Sequence, residues 1–208
     1  MFYTARTPKW VNKLFNKSVW EMPGNEKTIY LSFDDGPHPQ ITPFVLDELR
    51  KYNARATFFC IGKNVVMYPD VYNRILQEGH AVGNHTFNHL NGWKTGKEEY
   101  LSNILKAREV IQSNLFRPPY GKILPGQYKA LLQMDEPFKI IMWNVLSGDF
   151  DTTITADQCC KNVVNNAKSG SVIVFHDSEK ANERMKYALP VVLKTFTEQG
   201  FLFKKIEF

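Results

Sequence analysis

No stretch of this 208-residue chain approaches the roughly 20 consecutive apolar residues that cross a bilayer, and its N-terminus lacks the apolar core of a secretory leader. A cytoplasmic location is the expectation. Cysteine is scarce: Cys60 and the neighbours Cys159 and Cys160 make an odd, poorly spaced set, which excludes a disulfide framework and favours a reducing compartment. Blocks of like charge are missing too, so the formal charge of +5 comes from scattered lysines and offers no basic patch for nucleic acid. There is no internal repeat, no low-complexity segment and no long linker.

What is present suits one globular domain. Hydrophobic residues make up 43% and charged residues 23% of the chain, and its length buries a core without staples. Near the start, PKWVNKLFNKSVW (residues 8–20) sets Lys9, Lys13 and Lys17 on one helical stripe and Trp10, Val11, Leu14 and Phe15 around it. Such a face could lie on an anionic membrane surface, but amphipathic segments more often pack on a core. Residues 1–26 are therefore read as an N-terminal extension packing over one end of the fold, and residues 27–208 as the domain proper.

Candidate strands fall at 28–33, 56–61, 80–83, 114–117, 138–146, 171–176 and 201–206, with helical patterns between them. Thr42 before Pro43 reads as a helix start, and Thr95 with Glu98 and Thr155 with Gln158 have capping-box spacing. Alternating strand and helix imply a parallel sheet, here a small, incomplete α/β barrel. In such folds chemistry gathers at the carboxyl ends of the strands. Asp34 and Asp35, His85 and His89, Arg117, Asp149, and His176 with Asp177 all follow strands in this way.

SFDDGPHP (residues 32–39) sets two carboxylates side by side before a Gly-Pro turn, and GNHTFNHL gives His85 and His89 the i, i+4 spacing of one helical face. Two histidines with a carboxylate suit Zn²⁺ with an open position for water, and suit other first-row metals equally. If one aspartate ligates the cation, the other can take a proton from water, and the cation relieves the repulsion between them. His176, with an ordinary pKa near neutrality, is the candidate acid for the leaving group.

In this order SFDDGP, HTFNH, RPPYG, MWNVLSGDF and VIVFHD resemble the five motifs of the polysaccharide deacetylase family, also called the NodB homology domain or carbohydrate esterase family 4. The resemblance runs from about residue 27 to 206. It implies a distorted (β/α)7-type barrel that removes acetyl groups from carbohydrate, most often N-acetyl, with a divalent metal, usually zinc. By position Asp34 is similar to the family's base, and Asp35, His85 and His89 to its metal triad. Arg117 resembles the arginine that orients the base. The Tyr120 backbone N–H would hold the oxyanion, His176 matches the acid and Asp149 the carboxylate that tunes it.

The motif that usually ends Asp-Trp has Phe150 here, so the acetyl pocket's aromatic wall is altered or supplied by Trp143, and Asp151 competes for the place given to Asp149. Two other readings remain on this scaffold: an amidase of a small non-sugar N-acyl compound, and a barrel that binds carbohydrate without turning it over. Sugar identity, N- against O-deacetylation, the physiological metal and the oligomeric state are left open by the sequence.

Overall fold

The computed structural model describes residues 4–8 and 15–208. The lysine and tryptophan stripe of the N-terminal segment falls largely on residues 9–14, outside the described residues. The strands are β1 Thr28–Asp34, β2 Thr57–Cys60, β3 Ala81–Asn84, β4 Leu115–Phe116, β5 Lys139–Ile140, β6 Val145–Leu146, β7 Val172–His176 and β8 Leu202–Phe203. Between them run α1 Ile41–Lys51, α2 Gly62–Met67, α3 Pro69–Gln77, α4 Lys97–Arg108, α5 Pro125–Leu132, α6 Ala156–Val164 and α7 Asn182–Glu198. The order across the sheet is β5-β4-β3-β2-β1-β7-β6, every pair parallel, with β8 beside the start of β1. This is the curled, open sheet of a distorted (β/α)7 barrel in a single domain.

The strand period decides what faces where. Ile29, Leu31 and Phe33 point to the helix layer and join Phe58, Ile173 and Phe175 in the main core, with Val45, Leu49, Leu189 and Val192 from α1 and α7. The alternate residues face the barrel interior, where Phe59, Leu115, Ile141, Val172 and Ile206 pack together. Register completes the placement, because Asp34 lies directly opposite His176. Both are the last residues of their strands, so both open onto one rim.

The strand expected over 138–146 is broken into β5 and β6. Its two halves pair at opposite edges of the sheet, β5 with β4 and β6 with β7, and between them Asn144 Oδ1 accepts from Val172 N at 3.0 Å while its Nδ2 donates to Glu21 Oε2 at 3.1 Å. The N-terminal segment fills the seam. Val19 N donates to Ile140 O (2.9 Å) and Val19 O accepts from Met142 N (2.8 Å), while Ala5 O accepts from Leu146 N (2.8 Å). Backbone groups that an open edge would leave unpaired are thereby satisfied.

Two of the three expected helix starts also shift. Helix α1 begins at Ile41, and the Thr42 hydroxyl inside its first turn accepts from His38 N (2.7 Å) and donates to Asp177 Oδ2. Helix α4 takes Gly96 as its N-cap, because Thr95 Oγ1 is turned back to Asn91 O. At α6 the Thr155 hydroxyl accepts from Gln158 N at 3.1 Å as expected, while the Gln158 side chain turns away to Asn162.

Candidate active site

Asp34 ends β1 pointing into the barrel, where Arg117, wholly buried, waits at 2.7 Å from its Oδ1. A buried guanidinium is tolerable only when its donors are used. Here Nη1 also reaches Ser32 Oγ (2.8 Å), Nε reaches Ile141 O and Nη2 reaches Met142 O (both 3.1 Å), and the plane lies 4.0 Å from the Phe59 ring centroid. The carbonyls it uses belong to the seam between β5 and β6, so the break in that strand is what supplies them.

Asp35 follows with φ of 82°, the left-handed region, which swings its side chain away from Asp34 and toward the loop after β3. His89 Nε2 stands 3.1 Å and His85 Nε2 3.7 Å from its Oδ1. That oxygen is buried yet accepts no well-angled hydrogen bond. Burial pushes the Asp35 pKa up, but His89, His176 and His85 outweigh it and hold the carboxyl well below its usual range. His85 Nδ1 lies 2.8 Å from Arg117 O, which fixes the proton there and leaves Nε2 toward Asp35. Burial lowers the His85 pKa to about 4 against the pull of Asp34, so the ring is neutral at pH 7.

Asp35, His85 and His89 offer ligand atoms that all lie within 4.8 Å of one another, a group that fits one cation; no other such set of three occurs among the described residues. An orphaned carboxylate oxygen facing two imidazole nitrogens is what a cation would satisfy.

The two histidines reach it by a different route from the expected helical turn. Residues 85–91 form an irregular loop with positive φ at Thr86 (64°) and His89 (58°). Side chains capture the amides a helix would use: Asn84 Oδ1 takes Thr86 N, and Asn103 Oδ1 takes both Phe87 N and Asn88 N.

Across the rim, His176 Nδ1 is 2.7 Å from Asp149 Oδ1, and Asp149 Oδ2 accepts the His176 backbone N–H at 2.6 Å. Burial works to lower the His176 pKa, but Asp149, with Asp35 and Asp34 behind it, raises it to about 10, so the ring carries a proton at neutral pH. Asp151 instead accepts from Thr153 N and Oγ1, which leaves the histidine to Asp149. Phe150 meets the His176 ring edge to face at 5.3 Å. Tyr120, at φ of 61°, presents an exposed ring 4.7 Å from the His89 ring. Trp143 sits at the seam, its carbonyl bound by Thr7 Oγ1.

Two supporting residues carry roles that sequence reasoning did not assign: Asp177, placed only at a strand end, and Asn64. Asp177 is buried, with Oδ1 accepting from Gly36 N (3.0 Å) and Oδ2 from Thr42, and Asn64 Nδ2 donates to Asp35 O (2.8 Å). Together they clamp the turn on both sides of the Asp35 carbonyl. Asp177 adjoins His176 in VIVFHD, but no spacing rule links it to Gly36 across 141 positions.

Comparisons agree with this arrangement. The polysaccharide deacetylase family profile matches residues 21–135. A peptidoglycan-N-acetylglucosamine deacetylase of Bacillus cereus is 37% identical over 191 residues, 89% of each chain. A second B. cereus protein of that name is 37% identical over 81% of this chain, which spans only 62% of its length. A chitooligosaccharide deacetylase of Azorhizobium caulinodans is 33% identical over 74% of this chain and 75% of its own. Among solved structures, the peptidoglycan N-acetylglucosamine deacetylase Bc1960 superposes with a TM-score of 0.86 at 34% identity, covering 96% of this chain and 95% of that one. A barrel with these five motifs on one rim, matched over nearly its whole length by such relatives, places the chain in the polysaccharide deacetylase family.

Proposed function

We propose that the protein is a metal-dependent hydrolase that removes N-acetyl groups from an N-acetylglucosamine-containing glycan, of the peptidoglycan or chito-oligosaccharide kind on which its relatives are named. The observation that carries the reading is the buried, unsatisfied Asp35 oxygen set between His85 and His89, with a second carboxylate, Asp34, on the adjoining residue. Asp35, His85 and His89 would hold a divalent cation, zinc by the family resemblance, since the donor set suits other first-row metals equally. When bound, it supplies Lewis acidity toward the acetyl carbonyl and makes water easier to deprotonate.

The chain's own groups divide the remaining work. Asp34, fixed by Arg117, takes the proton of the attacking water as oxygen adds to the acetyl carbon. The Tyr120 backbone N–H donates to the oxyanion. His176, protonated and tied by Nδ1 to Asp149, delivers its Nε2 proton to the sugar nitrogen as the C–N bond breaks, leaving acetate and a free amine. Residues 1–26 are assigned as an N-terminal extension, of which the described residues 4–8 and 15–26 bond along the barrel seam. A cytoplasmic location is proposed with it, on three cysteines that are free and buried; among the described residues no helix is long and apolar enough to cross a membrane.

The test is a pair of variants assayed for zinc content and for acetate release from a chito-oligosaccharide. Asp34→Asn is expected to keep zinc and lose activity by about 10² or more, and His85→Ala to lose both. Full activity in either variant overturns the assignment.

A further inference from the structure

We propose that Trp93, with Lys122, forms a second sugar subsite that holds a pyranose of the glycan beyond the unit being deacetylated; this rests on the glycan reading above. Trp93 is 61% exposed, the largest side chain left so open among the described residues. Isolated exposed apolar residues need no explanation, but one carried on a tightly bonded turn next to the candidate site does. Asn91 Oδ1 accepts the Trp93 N–H at 3.0 Å and starts a short 3-10 turn, Gly92–Lys94. That turn is welded to the loop after β4 by Gln127, a wholly buried amide on α5. Its Nε2 donates to both Gly92 O and Thr95 O at 3.0 Å, and its Oε1 accepts from Leu124 N at 2.9 Å. The packing leaves no room for a side chain at residue 92, where a Cβ would lie 2.5 Å from Lys122 O.

The backbone turn that carries the indole is thus held by buried polar bonds, so ordering of the chain there is not charged to ligand binding. Lys122 Nζ lies over the indole, 5.0 Å from its centroid, so the ammonium caps part of one face of the ring. The pairing suits a pyranose whose C–H face stacks on the indole surface left exposed while a hydroxyl accepts from the ammonium. Continuity with the centre is direct. His89 meets Tyr120 at 4.7 Å, and Tyr120 and Lys122 flank Gly121 on one loop, so the rim runs from the metal-ligating loop through Tyr120 and Lys122 to Trp93. A single acetylated sugar at the centre would leave Trp93 to the next units of the chain.

The experiment measures acetate release from N-acetylglucosamine oligomers of increasing length by wild type and Trp93→Ala, and binding of the longest oligomer to Asp34→Asn with and without Trp93→Ala by calorimetry. Expected are a rise in KM of about tenfold for the longest oligomer with kcat little changed, no effect on the shortest, and a matching loss of affinity in the inactive background. Equal loss on short and long oligomers, or no change in binding, overturns the subsite while leaving the deacetylase reading in place. Trp93-dependent binding without acetate release from any oligomer supports the subsite and overturns the deacetylase reading. Absence of any glycan binding overturns both.

Discussion

His85 and His176 put the same side chain to opposite uses. One is brought down to about 4 by burial, against the pull of Asp34; the other is raised to about 10 by the buried Asp149 carboxylate it faces. A neutral imidazole can lend a lone pair to a cation, and a protonated one can give a proton away. Because the folded pKa of His176 is raised, the pair's stabilisation is complete below the unfolded value of about 6.5 and is lost as pH rises through about 10. Asp149→Asn removes the nearest charge and leaves burial opposed only by Asp35 and Asp34, so the ring should lose its proton at a lower pH than in wild type. Deacetylation should then collapse at neutral pH and recover partly toward acid. A pH–rate profile alongside NMR titration of the His176 ring checks this, and an unmoved alkaline limb would deny Asp149 its tuning role.

At the scale of elements, the loop after β3 shows how two side chains can be brought together by a local geometry other than the one their spacing suggests. The i, i+4 spacing of His85 and His89 suggests a helical turn, yet the two rings converge from an irregular loop that depends on helix α4 for its shape. Asn103, on that helix, accepts two of the loop's amides with one oxygen, at 2.9 and 3.0 Å. Asn103→Ala should therefore loosen the loop while sparing the sheet. The expected result is metal affinity lower by about tenfold with a small change in unfolding temperature. Competition with a chelator reads the first and thermal unfolding the second; unaltered affinity would mean the loop holds its shape without α4.

Across the whole molecule the two ends of the barrel differ. The carboxyl-end rim gathers the reactive groups. At the opposite end of β3 lies His80, buried, its Nδ1 accepting from Ala56 N at 3.1 Å. Burial, aided by Arg55, lowers its pKa to about 4. With the folded value depressed, the unfolded chain binds the extra proton first, so stability is full above about 6.5 and declines as pH falls toward about 4. His80→Gln, which keeps an acceptor but cannot titrate, should lose less unfolding temperature between pH 7 and pH 5 than wild type does. Equal losses would mean that other groups carry the acid sensitivity.

Much of this was already legible in the chain: the order of strands and helices, which strand ends carry titratable side chains, and the eight residues of the proposed centre, from Asp34 to His176. These are local or periodic properties, set by alternation of apolar residues and by which residue follows each strand. The tertiary structure alone decided the break at Asn144, the Asp177 clamp on Gly36, the loop around His85 and His89, and the exposure of Trp93 against the packing of Trp143. Each depends on hydrogen bonds and contacts between residues far apart in sequence, where spacing along the chain carries no information about which donor will find which acceptor.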